Sequence, residues 1–205
     1  MMQSDPIRIA AYYDRLVDEY GHDPRAVDAS SEAALNVRYR VLADVADLAG
    51  ASILEVGCGF GDLGVFLHER YEGIRYRGID VSARMIEEGR RLHPALDLAQ
   101  VNFLDLDPAE PFDFVLAQGI FYLLAEPAEP KMHRLIERMF ALATQAIALT
   151  TTSAWSSQSY PGEFYADPVR LLEWARQLTT AVVVRHDYHP GDVALYLYKS
   201  REAAP

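Results

Sequence analysis

The sequence predicts an α/β fold: a doubly wound, mostly parallel sheet with helices on both faces, closed by an antiparallel hairpin near its C-terminal end. Three observations predict it. Apolar runs of strand length alternate with helically spaced apolar residues from position 51 to position 151, and that alternation implies crossover connections and a parallel sheet. The tail departs from the alternation, because runs 181–187 and 193–199 flank the turn sequence His189-Pro-Gly-Asp192, as antiparallel pairing requires. The chain has 205 residues, half of them apolar and 24% charged, which suits one sizeable core and excludes a disordered or low-complexity chain.

Each element follows in order. Residues 6–20 and 31–48 carry two helical patterns separated by GHDP at 21–24. They precede every strand, so residues 1–50 are expected to form a helical cap on a core of residues 51–205. Residues 51–57 (ASILEVG) are an apolar run closed by Gly57, the first strand. Leu63, Phe66 and Leu67 place a helix over 62–71. Residues 76–81 form the second strand, and Ser82 starts a helix over 83–92. A third strand (96–104), a fourth (112–117), a helix (131–143), a fifth strand (145–151) and a helix (167–178) complete the series. No internal repeat interrupts it.

Charge narrows the partners. Thirty acidic against 19 basic side chains give −11, a field that repels phosphate backbones and anionic lipid. Neither nucleic acid nor a membrane is an expected partner. One Cys excludes an internal disulfide framework, residues 1–20 lack a secretory pattern, and residues 139–160 are too polar to span a bilayer, so a cytoplasmic protein is expected. Oligomeric state is not legible.

The sharpest feature is ILEVGCGFGDL at 53–63, a strand entering a glycine-rich turn and then a helix. Gly57, Gly59 and Gly61 permit positive φ and a close backbone approach to a ligand, in the crevice beyond a strand's carboxyl end where open parallel sheets bind ligands. The dinucleotide pattern Gly-x-Gly-x-x-Gly fails, because position 62 is Asp. Asp62 and Glu55 are read as two negative charges around the turn, suited to a cationic ligand. Asp80, at the end of the second strand, is placed to accept from both hydroxyls of an adenosyl ribose. Ser82 takes the helix-capping role, which leaves Asp80 free. Met85 lies one turn further on, against an adenine face or in the core.

EVGCGFG at 55–61, followed by GIDVS at 78–82 with Met85, resembles the first two motifs of the class I S-adenosylmethionine-dependent methyltransferases. VNFL at 101–104 and PFDFVLAQGIF at 111–121 resemble the third and fourth. The resemblance implies a Rossmann-like, doubly wound, seven-stranded sheet with the last strand inserted antiparallel, and S-adenosylmethionine as cofactor with S-adenosylhomocysteine as product. It assigns the methionine end to the backbone of Gly57, Gly59 and Gln118, with Glu55, Cys58 and Gly61 shaping the turn. Asp80 and Val81 go to the ribose side, and Met85, Asn102 and Phe103 to the adenine. Arg38 is either a bidentate partner for the cofactor carboxylate or an exposed helical residue. The implied reaction is methyl transfer to a small molecule at an O or N nucleophile. The alternatives are a nucleotide-dependent oxidoreductase and a non-catalytic adenosyl-ligand-binding domain.

The acceptor is less legible. Aromatic residues concentrate in the N-terminal helix and in 151–167, so Tyr12, Tyr13, Phe121, Tyr122, Trp155 and Tyr165 are expected around a partly apolar acceptor. Tyr160 and Glu163 are the nominated acid-base groups. His189 is expected at the surface, in a turn. No group of His, Cys and carboxylate residues shows metal-ligand spacing, so no metal is expected.

Overall fold

Residues 53–56 are buried on both sides of the strand, which only a sheet covered on both faces allows. In the computed structural model, which describes residues 4–106 and 111–199, they lie in β1 (Ser52–Val56). Around it lie β2 (Arg75–Asp80), β3 (Asp97–Gln100), β4 (Phe112–Gln118), β5 (Ala143–Thr152), β6 (Val182–Arg185) and β7 (Asp192–Tyr198). Their spatial order is β3-β2-β1-β4-β5-β7-β6. Parallel ladders join β1 to β2 and β4, β2 to β3, and β4 to β5. The last strand, β7, runs antiparallel between β5 and β6, so six strands point one way and β7 alone opposes them.

The helices are α1 (Asp5–Tyr20), α2 (Glu32–Ala43), α3 (Asp62–His68), α4 (Ala83–Leu92), α5 (Ala128–Leu142) and α6 (Pro168–Ala175). Strand alternation divides the core. Leu54, Val56, Val115 and Ile147 meet Met132, Ile136 and Met139 of α5 and Leu171 of α6 on one face. Ile53, Phe114, Leu116 and Ala148 meet Leu42 of α2, Leu63 and Leu67 of α3 and Ile86 of α4 on the other. A smaller cluster joins Leu16 and Val17 of α1 to Ala26, Phe60 and Met85. Helix α2 is therefore a sheet-covering layer, whereas α1 lies across the carboxyl ends of the strands. Among the described residues no helix is long and apolar enough to cross a membrane.

Element boundaries depart from the sequence expectation for local reasons. Helix α2 stops at Ala43 rather than at 48, because Asp44 caps it and both Asp44 and Asp47 oppose the negative end of a helix dipole. Helix α5 starts at Ala128, before Pro130, since proline is tolerated in a first turn. The third strand ends at Gln100, where the Asn102 side chain accepts from Leu104 N (3.4 Å) and bends the chain into a short 3-10 turn, Phe103–Asp105.

Candidate functional site

The order of strands reverses between β1 and β4, and a crevice opens there beyond their carboxyl ends. The chain leaves β1 through Gly57 (φ 74°) and Gly59 (φ 54°), conformations that disfavour any side chain. A Cβ on Gly57 would stand 2.3 Å from Ile120 Cγ2. Gly57 N and Cys58 N donate to Ile79 O at 2.8 and 3.0 Å, which pins the turn against β2. Asp80 closes the arrangement: Oδ2 accepts from Gly59 N (3.0 Å) and Oδ1 from Ser82 N (2.8 Å).

Asp80 is thus not free, contrary to the sequence expectation. It locks the glycine turn to the start of α4, and each oxygen keeps a second lone pair. Ser82 does cap α4, accepting from Met85 N at 3.0 Å, and its hydroxyl donates to Asp14 of α1 (2.5 Å). Burial raises the Asp80 carboxyl, opposed by the N–H groups of Ser82, Gly59 and Val81.

A cavity of about 1200 Å³ extends from this turn under α1. Arg38, Glu55, Gly57, Cys58, Gly59, Asp80, Val81, Met85, Asn102, Phe103 and Gln118 line it. Gly61 does not. At φ 89° it caps α3 and packs against Leu96 and Leu98, where a Cβ would approach to 3.0 Å, so its role is packing. Two buried polar atoms on the lining, Gln118 Oε1 and Thr151 Oγ1, have no hydrogen-bond partner among the described residues, which points to a polar ligand in the cavity.

Glu55 corrects another expectation. It is 3% exposed and accepts from the Tyr76 hydroxyl, and burial pushes its carboxyl up to about 8. It is a neutral acid at pH 7, not a second negative charge. Burial also raises the Cys58 thiol, which fits a packing residue rather than a nucleophile.

At the far end of the cavity, Asp28 Oδ2 accepts from the hydroxyls of Tyr12 (2.6 Å) and Tyr122 (2.8 Å), and Tyr122 OH lies 2.8 Å from Tyr13 OH. Asp28 has φ 56°, a left-handed conformation for a non-glycine residue. Burial and Asp28 keep the three phenols well above their ordinary range, so they stay protonated. Tyr165 also lines the cavity and donates to Glu163 Oε2 (2.5 Å). Tyr160 stands on the rim, 60% exposed.

Two expected acceptor residues lie elsewhere. Phe121 is fully buried in the core with Leu124 and Met132, because the chain turns after Gly119 and points it back under the sheet. Trp155 is 57% exposed and sits beside His186, outside the cavity lining. Conversely, His189 lines the cavity, where its Nδ1 accepts from Gly191 N (3.2 Å) and lies 3.3 Å from Asp192 Oδ2. Asp192 in turn holds Arg38 Nε at 2.7 Å. Sequence reasoning missed Asp28, His189 and Asp192, since nothing in local spacing aims a turn residue at a cavity. It also expected no metal-ligand cluster, yet His22, Asp62 and His93 converge beside the glycine turn.

The sheet order and the glycine turn define a Rossmann-like domain with a switch-point ligand site. Residues 53–142 match a family model described as a methyltransferase domain, and the strand order and glycine turn are similar to those of the class I S-adenosylmethionine-dependent methyltransferases. The chain is 31% identical over 101 residues to trans-aconitate 2-methyltransferase of Azoarcus sp. (strain BH72), a match over 49% of this chain and 38% of the relative. It therefore spans well under two thirds of that curated relative. It superposes on the DhpI complex with S-adenosylhomocysteine with a TM-score of 0.72 at 17% identity, covering 96% of this chain and 97% of the other. Against the magnesium protoporphyrin IX methyltransferase ChlM from Synechocystis PCC 6803, solved with bound S-adenosylmethionine, the TM-score is 0.68 at 14% identity, covering 97% and 99%.

Proposed function

We propose that the protein transfers a methyl group from S-adenosylmethionine to an oxygen or nitrogen atom of a neutral or cationic small molecule. The observation that carries this reading is the switch-point cavity, where the Asp80-locked glycine turn and the unpartnered Gln118 Oε1 face one volume. Single-ligand pockets measure about 300–1,000 Å³, so about 1200 Å³ suits a cofactor and an acceptor together.

The remaining lone pairs of Asp80 accept from the ribose hydroxyls. Asn102, Phe103, Val81 and Met85 flank the adenine, and Gly57, Gly59 and Gln118 hold the methionine end. When bound, the sulfonium supplies an electrophilic methyl group. The protein's part is to align the acceptor with it and exclude water, with Tyr12, Tyr13 and Tyr122 tied to Asp28 above the site. His189, an imidazole on the cavity lining, is placed to take the proton of an attacking O–H or N–H.

Charge favours this acceptor class over a polycarboxylate. Asp5, Asp28, Asp62, Asp80, Glu163 and Asp192 line the cavity against Arg25, Arg38, Lys131 and Arg134, of which the first three are each paired to an aspartate at 2.7 Å. The acceptor of this chain would then differ from the one for which the curated relative is named.

Titration calorimetry with S-adenosylhomocysteine tests the cofactor. Micromolar binding is expected; no binding at millimolar ligand overturns the reading, and NAD binding in its place favours an oxidoreductase. Turnover assays with S-adenosylmethionine against amines, phenols and trans-aconitate then test the acceptor. Methylation of trans-aconitate alone overturns the charge argument, and binding without turnover on any acceptor leaves an adenosyl-ligand-binding domain.

A further inference from the structure

The two histidines and one aspartate that converge beside the glycine turn come from three separate elements. His22 lies in the turn after α1, Asp62 is the first residue of α3, and His93 caps the C-terminal end of α4. Both rings present Nε2 to the same carboxylate oxygen: His22 and His93 each stand 3.0 Å from Asp62 Oδ1, and His22 is also 3.1 Å from Oδ2. One ligand atom from each of the three residues lies within 4.8 Å of the other two.

We propose that His22, Asp62 and His93 form a binding site for a borderline divalent cation of the zinc, nickel or cobalt type. Two imidazole nitrogens and one carboxylate oxygen select such ions over magnesium and calcium, which take oxygen ligands. Donors about 2.0–2.1 Å from one ion stand roughly 2.9 Å apart in octahedral geometry and roughly 3.4 Å apart in tetrahedral geometry. The His22–Asp62 and His93–Asp62 separations of 3.0 and 3.1 Å fall in that interval and all three ligand atoms lie within 4.8 Å of one another, so an ion enters as the two rings turn toward it. His22 is exposed and the other two are half-buried, which leaves an entry path and room for water on the remaining coordination positions. The His22 ring is steadied edge-on against Phe60, at 4.9 Å between centroids.

Position gives the site a consequence. The ion would clamp the end of α1 to the starts and ends of the two helices that frame the glycine turn. Asp62 also lines the cavity, so the clamp would hold α1 over it. Imidazoles and carboxylate bind the ion deprotonated, so binding releases protons and weakens as pH falls.

The test uses the full chain, stripped with chelator and titrated with Zn²⁺ against a chromophoric competitor. One equivalent is expected at micromolar affinity. His22→Ala and His93→Ala should each weaken it at least tenfold, while His68→Ala, outside the cluster, leaves it unchanged. Cu²⁺ bound to the wild-type chain should show two nitrogen ligands by electron paramagnetic resonance, and one in either variant. Because His22 is an exposed turn residue, its variant keeps the fold, which a melting curve checks. The proposal is overturned by no stoichiometric Zn²⁺ binding below about 100 μM, or by binding that both histidine variants retain. The readout needs no cofactor, so its outcome is independent of methyl transfer.

Discussion

Glu55 carries a proton in the folded chain that it would release in the unfolded one. Its folded value of about 8 lies above the ordinary carboxyl range, so its contribution to stability is present below pH ~4.5 and is lost as pH rises through 8. Wild-type melting temperature should fall between pH 6 and 9 relative to Glu55→Gln, which cannot ionise. Parallel curves for the two proteins would mean that Glu55 is charged throughout. Asp80 presents a different case, because one carboxylate serves both the turn and the proposed ribose. Asp80→Ala is expected to weaken S-adenosylhomocysteine binding by about 1–3 kcal/mol. An unchanged dissociation constant would place the ribose elsewhere. For the acceptor proton, His189→Ala should lower turnover by roughly 10²–10⁴ while cofactor affinity holds. A larger loss in Glu163→Gln with normal His189→Ala activity would transfer the role to Glu163.

At the scale of elements, one glycine marks where a helix meets the backbone of its neighbour. On α4, a Cβ at Gly89 would lie 2.6 Å from the Phe60 carbonyl oxygen, a backbone atom in the glycine turn that cannot rotate away. Gly89→Ala is expected to cost about 1–3 kcal/mol by pushing α4 off the turn, read by urea denaturation. Equal midpoints would show that the helix shifts without strain. The contact also explains how α4 and the turn are kept in register: Ser82 fixes the start of the helix through Asp80, and Gly89 fixes its middle against Phe60.

At the scale of the whole molecule, α1 is expected to act as a lid. It is tied down by Asp14 to Ser82, by Arg84 to Asp18, and by Asp5 to both Ala125 N and Lys131, while Leu16 and Val17 bury one face. These ties are mostly polar and half-exposed, worth little each, which is consistent with a lid. Protease cleavage in residues 21–28 should slow when S-adenosylhomocysteine is bound, and equal rates with and without ligand would make α1 a fixed part of the core. Deleting residues 1–20 should leave a folded sheet domain, since no strand lies there, and an insoluble product would point the same way as equal rates.

The order of strands and helices, the glycine turn and Asp80 were legible in the sequence because each depends on local periodicity or on backbone conformations available to few residue types. The insertion of β7 was legible only through the family resemblance, because hairpin pairing alone does not say which of the two strands meets β5. What tertiary structure alone decided is charge state and convergence. Burial made Glu55 neutral, turned Phe121 into the core, and left Trp155 outside the cavity. Folding brought His189 to Asp192 and gathered His22, Asp62 and His93 from positions up to 71 residues apart in the chain. Such meetings leave no spacing in a sequence, because their distances are set by how helices pack on a sheet rather than by chain separation.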